Sequence, residues 1–140
     1  LATEYLKNSE NQQDREKATQ LMLKLAKKGH VRAQMQLGLL YLFGDAQNLN
    51  SEEGFFWLKE SAMQDFGPAQ HNLGTMYAQG ISGEPNLKRA YAWLTIASAS
   101  IAQAEEDSLI IREKLSENEL QSSEMLIAEI TAQIANDKEL

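Results

Sequence analysis

The side chains with the most chemical potential are two histidines, His30 and His71, and the acidic run Glu105-Glu106-Asp107. Imidazoles and carboxylates can hold a metal ion or move protons. Their spacing argues against both. The histidines stand 41 residues apart, and neither sits in an HExxH frame or has a carboxylate pair beside it. The acidic run falls at what reads as a helix start. There it complements the helix dipole and forms a solvated face, with binding of a cation or a basic partner as the functional alternative. Gly80-Ile-Ser-Gly83 is not a nucleophile elbow, which needs glycine two positions either side of the serine. No phosphate loop or dinucleotide fingerprint is present, and no cysteine offers a thiolate. The expectation is no enzyme, no metal and no cofactor.

The elements that must position these residues are set by a repeat. Shifted by 36 positions, Ala33, Gln34, Leu37, Gly38, Tyr41, Gly44, Gly54 and Trp57 become Ala69, Gln70, Leu73, Gly74, Tyr77, Gly80, Ala90 and Trp93. Self-similarity at such a period is the mark of a repeat array. A cropped copy precedes these two. Leu1, Ala2, Tyr5 and Asn8 align with Leu37, Gly38, Tyr41 and Gly44, and Ala18, Leu21 and Ala26 with Gly54, Trp57 and Ala62. The array therefore starts inside a helix, and the cropped copy offers a surface for self-association.

Each unit reads as a helical hairpin. Ala33, Leu37, Leu40 and Tyr41 share one face at spacings of three and four, and Phe55, Leu58 and Ala62 form a stripe on the next helix. Gly29 after Lys27-Lys28 suits a helix C-terminus, and Pro68 suits a first turn. Asn50 or Ser51 can cap the helix of Trp57, and Asn86 that of Trp93. Glycine inside a helix costs about 1 kcal/mol against alanine. The recurrence of Gly38 and Gly74 thus predicts close approach of a partner helix, with Ala18, Gly54 and Ala90 as the small residues opposite. Trp57 and Trp93 are expected to fill the space between hairpins. The tyrosines at 5, 41 and 77 are expected to pack with their hydroxyls at the edge; a stacking platform for a ligand is the alternative.

After Ser100 the pattern changes. Residues 102–115 read as a helix in which Leu109 echoes Leu73. Ser116-Glu-Asn-Glu119 is a capping box that opens a helix to about Asn136, with a stripe of Leu120, Leu126 or Ile127, Ile130 and Ile134. This pair is expected to cap the array, apolar inward and charged outward. Residues 1–101 hold ten acidic and ten basic side chains, whereas 102–140 hold ten and three, so the whole net charge of −7 lies in the tail. Such a balance argues against nucleic acid or anionic lipid as partner. No apolar run reaches the roughly 18 residues of a membrane span, so no membrane insertion is expected.

Ala33-x3-Leu37-Gly38-x2-Tyr41-x2-Gly44, its copy Ala69-x3-Leu73-Gly74-x2-Tyr77-x2-Gly80, and the run Arg89-Ala-Tyr-Ala-Trp-Leu-Thr-Ile-Ala resemble the Sel-one-like repeat, a relative of the tetratricopeptide repeat. Arg112-Glu-Lys-Leu115 and the helix after it are similar to the tail of bacterial members. Three features depart from the pattern. Ala46 and Ser82 replace a second loop glycine, Asp65 stands where a helix-ending glycine usually falls, and Leu21 replaces the tryptophan. The resemblance implies an all-α, right-handed α-solenoid of helix-turn-helix repeats of period 36. On this reading residues 1–140 form one domain: a cropped repeat 1–32, repeats 33–68 and 69–101, and capping helices 102–140.

The resemblance further implies a scaffold or adaptor that binds a protein or peptide on a concave face. It implies a bacterial periplasm or envelope setting in preference to the cytoplasm, with any export leader already removed. A module binding cell-wall or secreted polysaccharide is the alternative. In a stack of this type the concave face comes from first-helix positions not used for packing. Here these are Arg32, Met35, Leu39 and Leu42 in one copy and His71, Thr75 and Ala78 in the next. Phe43 adds to a first-helix surface more apolar than solvation requires, which fits a groove for an apolar or helical peptide.

Overall fold

The computed structural model describes residues 12–44, 49–81 and 83–139. The alignments made above for Leu1, Ala2, Tyr5 and Asn8, and the loop positions Ala46 and Ser82, lie outside them. Among the described residues there are seven helices and no strand. They are α1 (Gln12–Lys27), α2 (Val31–Phe43), α3 (Ser51–Met63), α4 (Gly67–Gln79), α5 (Leu87–Ala97), α6 (Ala102–Arg112) and α7 (Glu117–Glu139). The chain forms two compact units, 1–61 and 62–140, divided near the end of α3.

In the first unit α1 ends at Gly29, whose φ of +91° lies in the region that favours glycine. The turn closes through Gly29 N–H donating to the Ala26 carbonyl (2.9 Å) and His30 N–H to that of Leu25 (3.2 Å). α2 then packs back on α1. The amide of Gln34, a buried residue, donates to the same Ala26 carbonyl at 3.1 Å. Met22, Ala26, Ala33, Leu37 and Trp57 form one buried cluster, with Leu23, Leu25 and Tyr41 packed against it. Trp57 thus joins α3 to α1 and α2, as its position predicts. Its indole N–H has no hydrogen-bond partner among the described residues, so its stabilisation comes from packing.

The glycine prediction holds at backbone level. A methyl group on Gly38 would stand 2.8 Å from the Gly54 carbonyl oxygen and 2.9 Å from the Leu58 nitrogen. One on Gly54 would stand 2.5 Å from Leu42 Cγ. Helix α3 is capped by Asn50, whose Oδ1 accepts from Glu53 N–H at 3.2 Å, and Ser61 Oγ ties it back to the Val31 carbonyl at 2.8 Å.

The second unit repeats the scheme. Asp65 takes the glycine's place at the end of α3 with φ +64°, a region aspartate tolerates better than most residues. Gln70, buried like Gln34, donates its amide to the Ala62 carbonyl at 3.1 Å. Pro68 sits in the first turn of α4, and Asn86 caps α5 through Arg89 N–H at 3.1 Å. A methyl on Gly74 would meet Leu94 Cγ at 2.8 Å, so the closest partner here is Leu94, while Ala90 is fully buried. Ala90, Leu94, Ala97, Ala104 and Ile111 form the core of this unit.

α5 also packs against α6 and α7. Ser123, fully buried, donates from α7 to the Lys88 carbonyl of α5 at 2.5 Å. The capping box forms in both directions, Ser116 N–H to Glu119 Oε1 at 3.0 Å and Glu119 N–H to Ser116 Oγ at 3.1 Å. The Glu119 carboxylate is exposed, and hydrogen bonding from the Ser116 backbone N–H, then from the Ser116 hydroxyl, holds its pKa below the usual carboxylate range.

The tail differs from expectation in register. The residues preceding the first helices are His30, Phe66 and Ile101, spaced 36 and then 35 apart. α5 is two residues shorter than α3 and the turn after it one residue longer, so the step into α6 is one residue short. The buried stripe of α6 is therefore Ala104, Ser108 and Ile111, and Leu109 is 52% exposed. The echo of Leu73 falls on Ser108, not Leu109. α6 stops at Arg112, three residues short of the expected end, and α7 runs three past Asn136.

Gly38→Ala should destabilise the protein by about 1–2 kcal/mol, because overpacking against backbone (about 1–3 kcal/mol) outweighs the helix-propensity gain of about 1 kcal/mol. Gly29→Ala, with open space around its Cβ, should lose about 1 kcal/mol through its φ alone, and Gly29→Asn less. Urea unfolding followed by circular dichroism measures all three.

Candidate functional site

The residues expected to form a binding face fall on α2 in the first unit and on α4 in the second. Arg32 is exposed, and Met35 and Leu39 are half-buried. Leu42 does not belong with them. It is 8% exposed, and its side chain occupies the space that Gly54 leaves open. Sequence spacing placed it on the outer side of α2, but the absence of a side chain at position 54 draws it inward. Phe43 beside it is 56% exposed.

On α4 the three expected residues are half-buried, and each is already engaged. Ala78 packs against the core cluster of the second unit. Thr75 Oγ1 donates to the His71 carbonyl at 3.0 Å, back along its own helix. His71 Nε2 lies 2.8 Å from Asp107 Oδ2 on α6. Asp107 Oδ1 accepts from Gln103 Nε2 at 3.0 Å, and Gln103 also reaches Glu106 at 3.3 Å. The carboxylate missing beside His71 in the sequence thus arrives from the next first helix.

The electrostatics follow from this contact. The hydrogen bond from His71 holds the Asp107 carboxyl below the usual carboxylate range. Partial burial opposes it, and the Gln103 amide and the histidine's charge add to it. Asp65 behaves likewise. A hydrogen bond from Lys138 Nζ (2.5 Å) lowers its pKa, burial opposes, and the Gln70 amide assists. Of the tyrosines, Tyr41 packs on the first core cluster, and desolvation, then the charge of Glu53, raises its pKa. Tyr77 packs on the second cluster, with the Arg89 guanidinium 5.8 Å from its ring centroid and 3.5 Å from its hydroxyl. Both tyrosines thus serve as inter-helix packing.

Among the described residues no three histidine, cysteine or carboxylate side chains gather as a metal site would require. A shallow cavity of about 450 Å³ lies between the start of α5 and the middle of α7, lined by Lys88, Arg89, Met125, Leu126 and Glu129 among others. No helix among the described residues is long and apolar enough to cross a membrane.

A family model described as the Sel1 repeat matches residues 11–30, 31–66 and 67–100. α6 and α7 lie beyond the matched residues. The chain is similar to a protective antigen present in uropathogenic Escherichia coli strains that displays an SLR fold. The two are 27% identical with a TM-score of 0.85, over 98% of this chain and 30% of that one. The chain thus spans about a third of that protein's length. A Sel1 repeat protein from Oxalobacter formigenes shares the fold at a TM-score of 0.64 and 23% identity, over 84% of this chain and 89% of that one. No curated protein matches in sequence. The fold is thus the all-helical solenoid of helix pairs that these neighbours display.

Because Asp107 has its pKa lowered on folding, its contribution to stability is complete above the unfolded value of about 3.9 and is lost as pH falls through the lower folded value. Asp107→Asn should therefore be less stable than the parent at neutral pH. The gap should close as pH drops below about 4. Urea midpoints measured from pH 7 downward test the sign; a gap independent of pH would refute it.

Proposed function

The chain belongs to the Sel1 repeat family, and from that premise we propose that it is a non-catalytic scaffold that binds a protein or peptide through first-helix side chains, in a bacterial envelope. Proteins built on this repeat generally serve as protein-interaction modules.

One observation carries the reading. The residues that recur between copies are consumed by packing. Leu37, Leu73, Trp57 and Trp93 are buried, Gly38 and Gly74 receive the partner helix, and Gln34 and Gln70 satisfy a buried carbonyl. What varies between copies lies nearer the surface of the first helices: Arg32, Met35 and Leu39 on α2, and His71 and Thr75 on α4. Half-buried apolar side chains beside a charged one suit a peptide with an apolar anchor.

Two sets of variants test the two helices separately. Met35→Lys with Leu39→Lys on α2, and His71→Ala with Thr75→Ala on α4, should each weaken a captured partner by about tenfold or more, as loss of interface anchors does. Circular dichroism should report unchanged helix content. Partners held equally by both folded variants and the parent would overturn the reading.

A further inference from the structure

The 35-residue step from Phe66 to Ile101 changes which residues of the α6 segment continue the first-helix face. With a spacing of 35, the positions of His71, Thr75 and Ala78 on α4 pass to Glu106 and Ile110 on α6 and to Glu113 at its C-terminal cap. All three are exposed, and Ile110 is 56% so. Leu109 stands beside it, and Glu105 lies one turn before Leu109. The core side of α6 is separate, formed by Ala104, Ser108 and Ile111. The outward side is thus two large aliphatic side chains framed by three glutamates. It adjoins α4, because His71 and Asp107 join the two helices at 2.8 Å.

We propose that this face of α6 docks a basic amphipathic segment of a partner protein, with an aliphatic side chain seated on Leu109 and Ile110 and lysine or arginine against Glu105, Glu106 and Glu113. The charge pattern selects this occupant. The tail carries the entire net charge of −7, and over residues 102–114 Arg112 and Lys114 offset only part of the four acids. Nucleic acid and anionic membranes are repelled by such a face, and an acidic peptide likewise. The aliphatic pair is the part that distinguishes docking from general attraction. Glu106 and Glu113 flank Ile110 at i−4 and i+3, so charged and apolar contacts fall on one ridge of a bound helix. The proposal rests on the scaffold reading and names the partner's chemistry for it.

Fluorescence anisotropy with a labelled helical peptide of lysine and leucine, and with its glutamate–leucine counterpart, tests the proposal. At about 0.15 M salt, attraction to distant charge is screened beyond about 8 Å. The basic peptide should bind and the acidic one should not. Glu106→Gln with Glu113→Gln should weaken binding about five- to tenfold, and Ile110→Ser by about tenfold. Glu124→Gln with Glu129→Gln makes the same charge change on α7 and should leave binding unchanged. An equal loss from the α7 pair would reduce the effect to net charge and overturn the proposal, as would no binding or equal binding of both peptides. A captured partner lost with the α2 or α4 variants but indifferent to the α6 variants would overturn it while leaving the scaffold reading intact.

Discussion

The structure depends on how closely two helices approach where Gly38 faces Gly54. The contact is backbone against backbone, and a single methyl group at position 38 would stand 2.8 Å from the Gly54 carbonyl oxygen. That proximity holds α3 low on α2, which is what allows Trp57 to reach Met22, Ala26 and Leu37 in one cluster. It also determines the fate of Leu42, which turns inward over the side chain that Gly54 lacks. The second unit reaches the same end differently, with Gly74 receiving the bulk of Leu94 while Ala90 is buried. Glycine's propensity cost of about 1 kcal/mol in a helix is offset by packing that alanine would prevent.

A second constraint acts where one hairpin hands over to the next. The last turn of a helix leaves carbonyls without intrahelical donors, and here that turn lies against the following helix. The amides of Gln34 and Gln70 meet it, each donating to the carbonyl eight residues earlier. The bond gives each buried glutamine amide a partner, since a buried donor left unmet costs about 1–3 kcal/mol, and it adds to the turn N–H of Gly29 or Asp65 that the same carbonyl already accepts. Asp65 adds a variation. It adopts the left-handed backbone that Gly29 adopts one copy earlier, and its carboxylate accepts from Gln70 and Lys138. A glycine there would relieve the backbone and lose both bonds.

The features legible in the sequence were those that act locally or recur. The helix caps at Asn50, Asn86 and Ser116 are three-residue devices, and each formed as read. The glycines and tryptophans announced their packing by recurring at 36. The register of α6 was not legible, because a net loss of one residue across α5 and its turn leaves no mark until the helix beyond is seen to bury Ser108 in place of Leu109. The pairing of His71 with Asp107 joins two helices whose separation in sequence says nothing of their contact. The inward turn of Leu42 depended on the residue opposite, which spacing along one helix does not contain.

The same logic explains why the residues proposed for binding resist a periodic reading. Positions 38 and 74 are both glycine, and positions 37 and 73 both leucine, because every copy makes the same demand on its core. Positions 35, 71 and 106 are methionine, histidine and glutamate; positions 39, 75 and 110 are leucine, threonine and isoleucine. No shared packing need constrains them, so each is free to answer a different part of whatever lies across it. Within the second unit the first-helix positions carry a histidine held by Asp107 on α4 and an acidic, aliphatic edge on α6. Divergence at equivalent positions can be read in this chain only once the register, including its single-residue slip, is known.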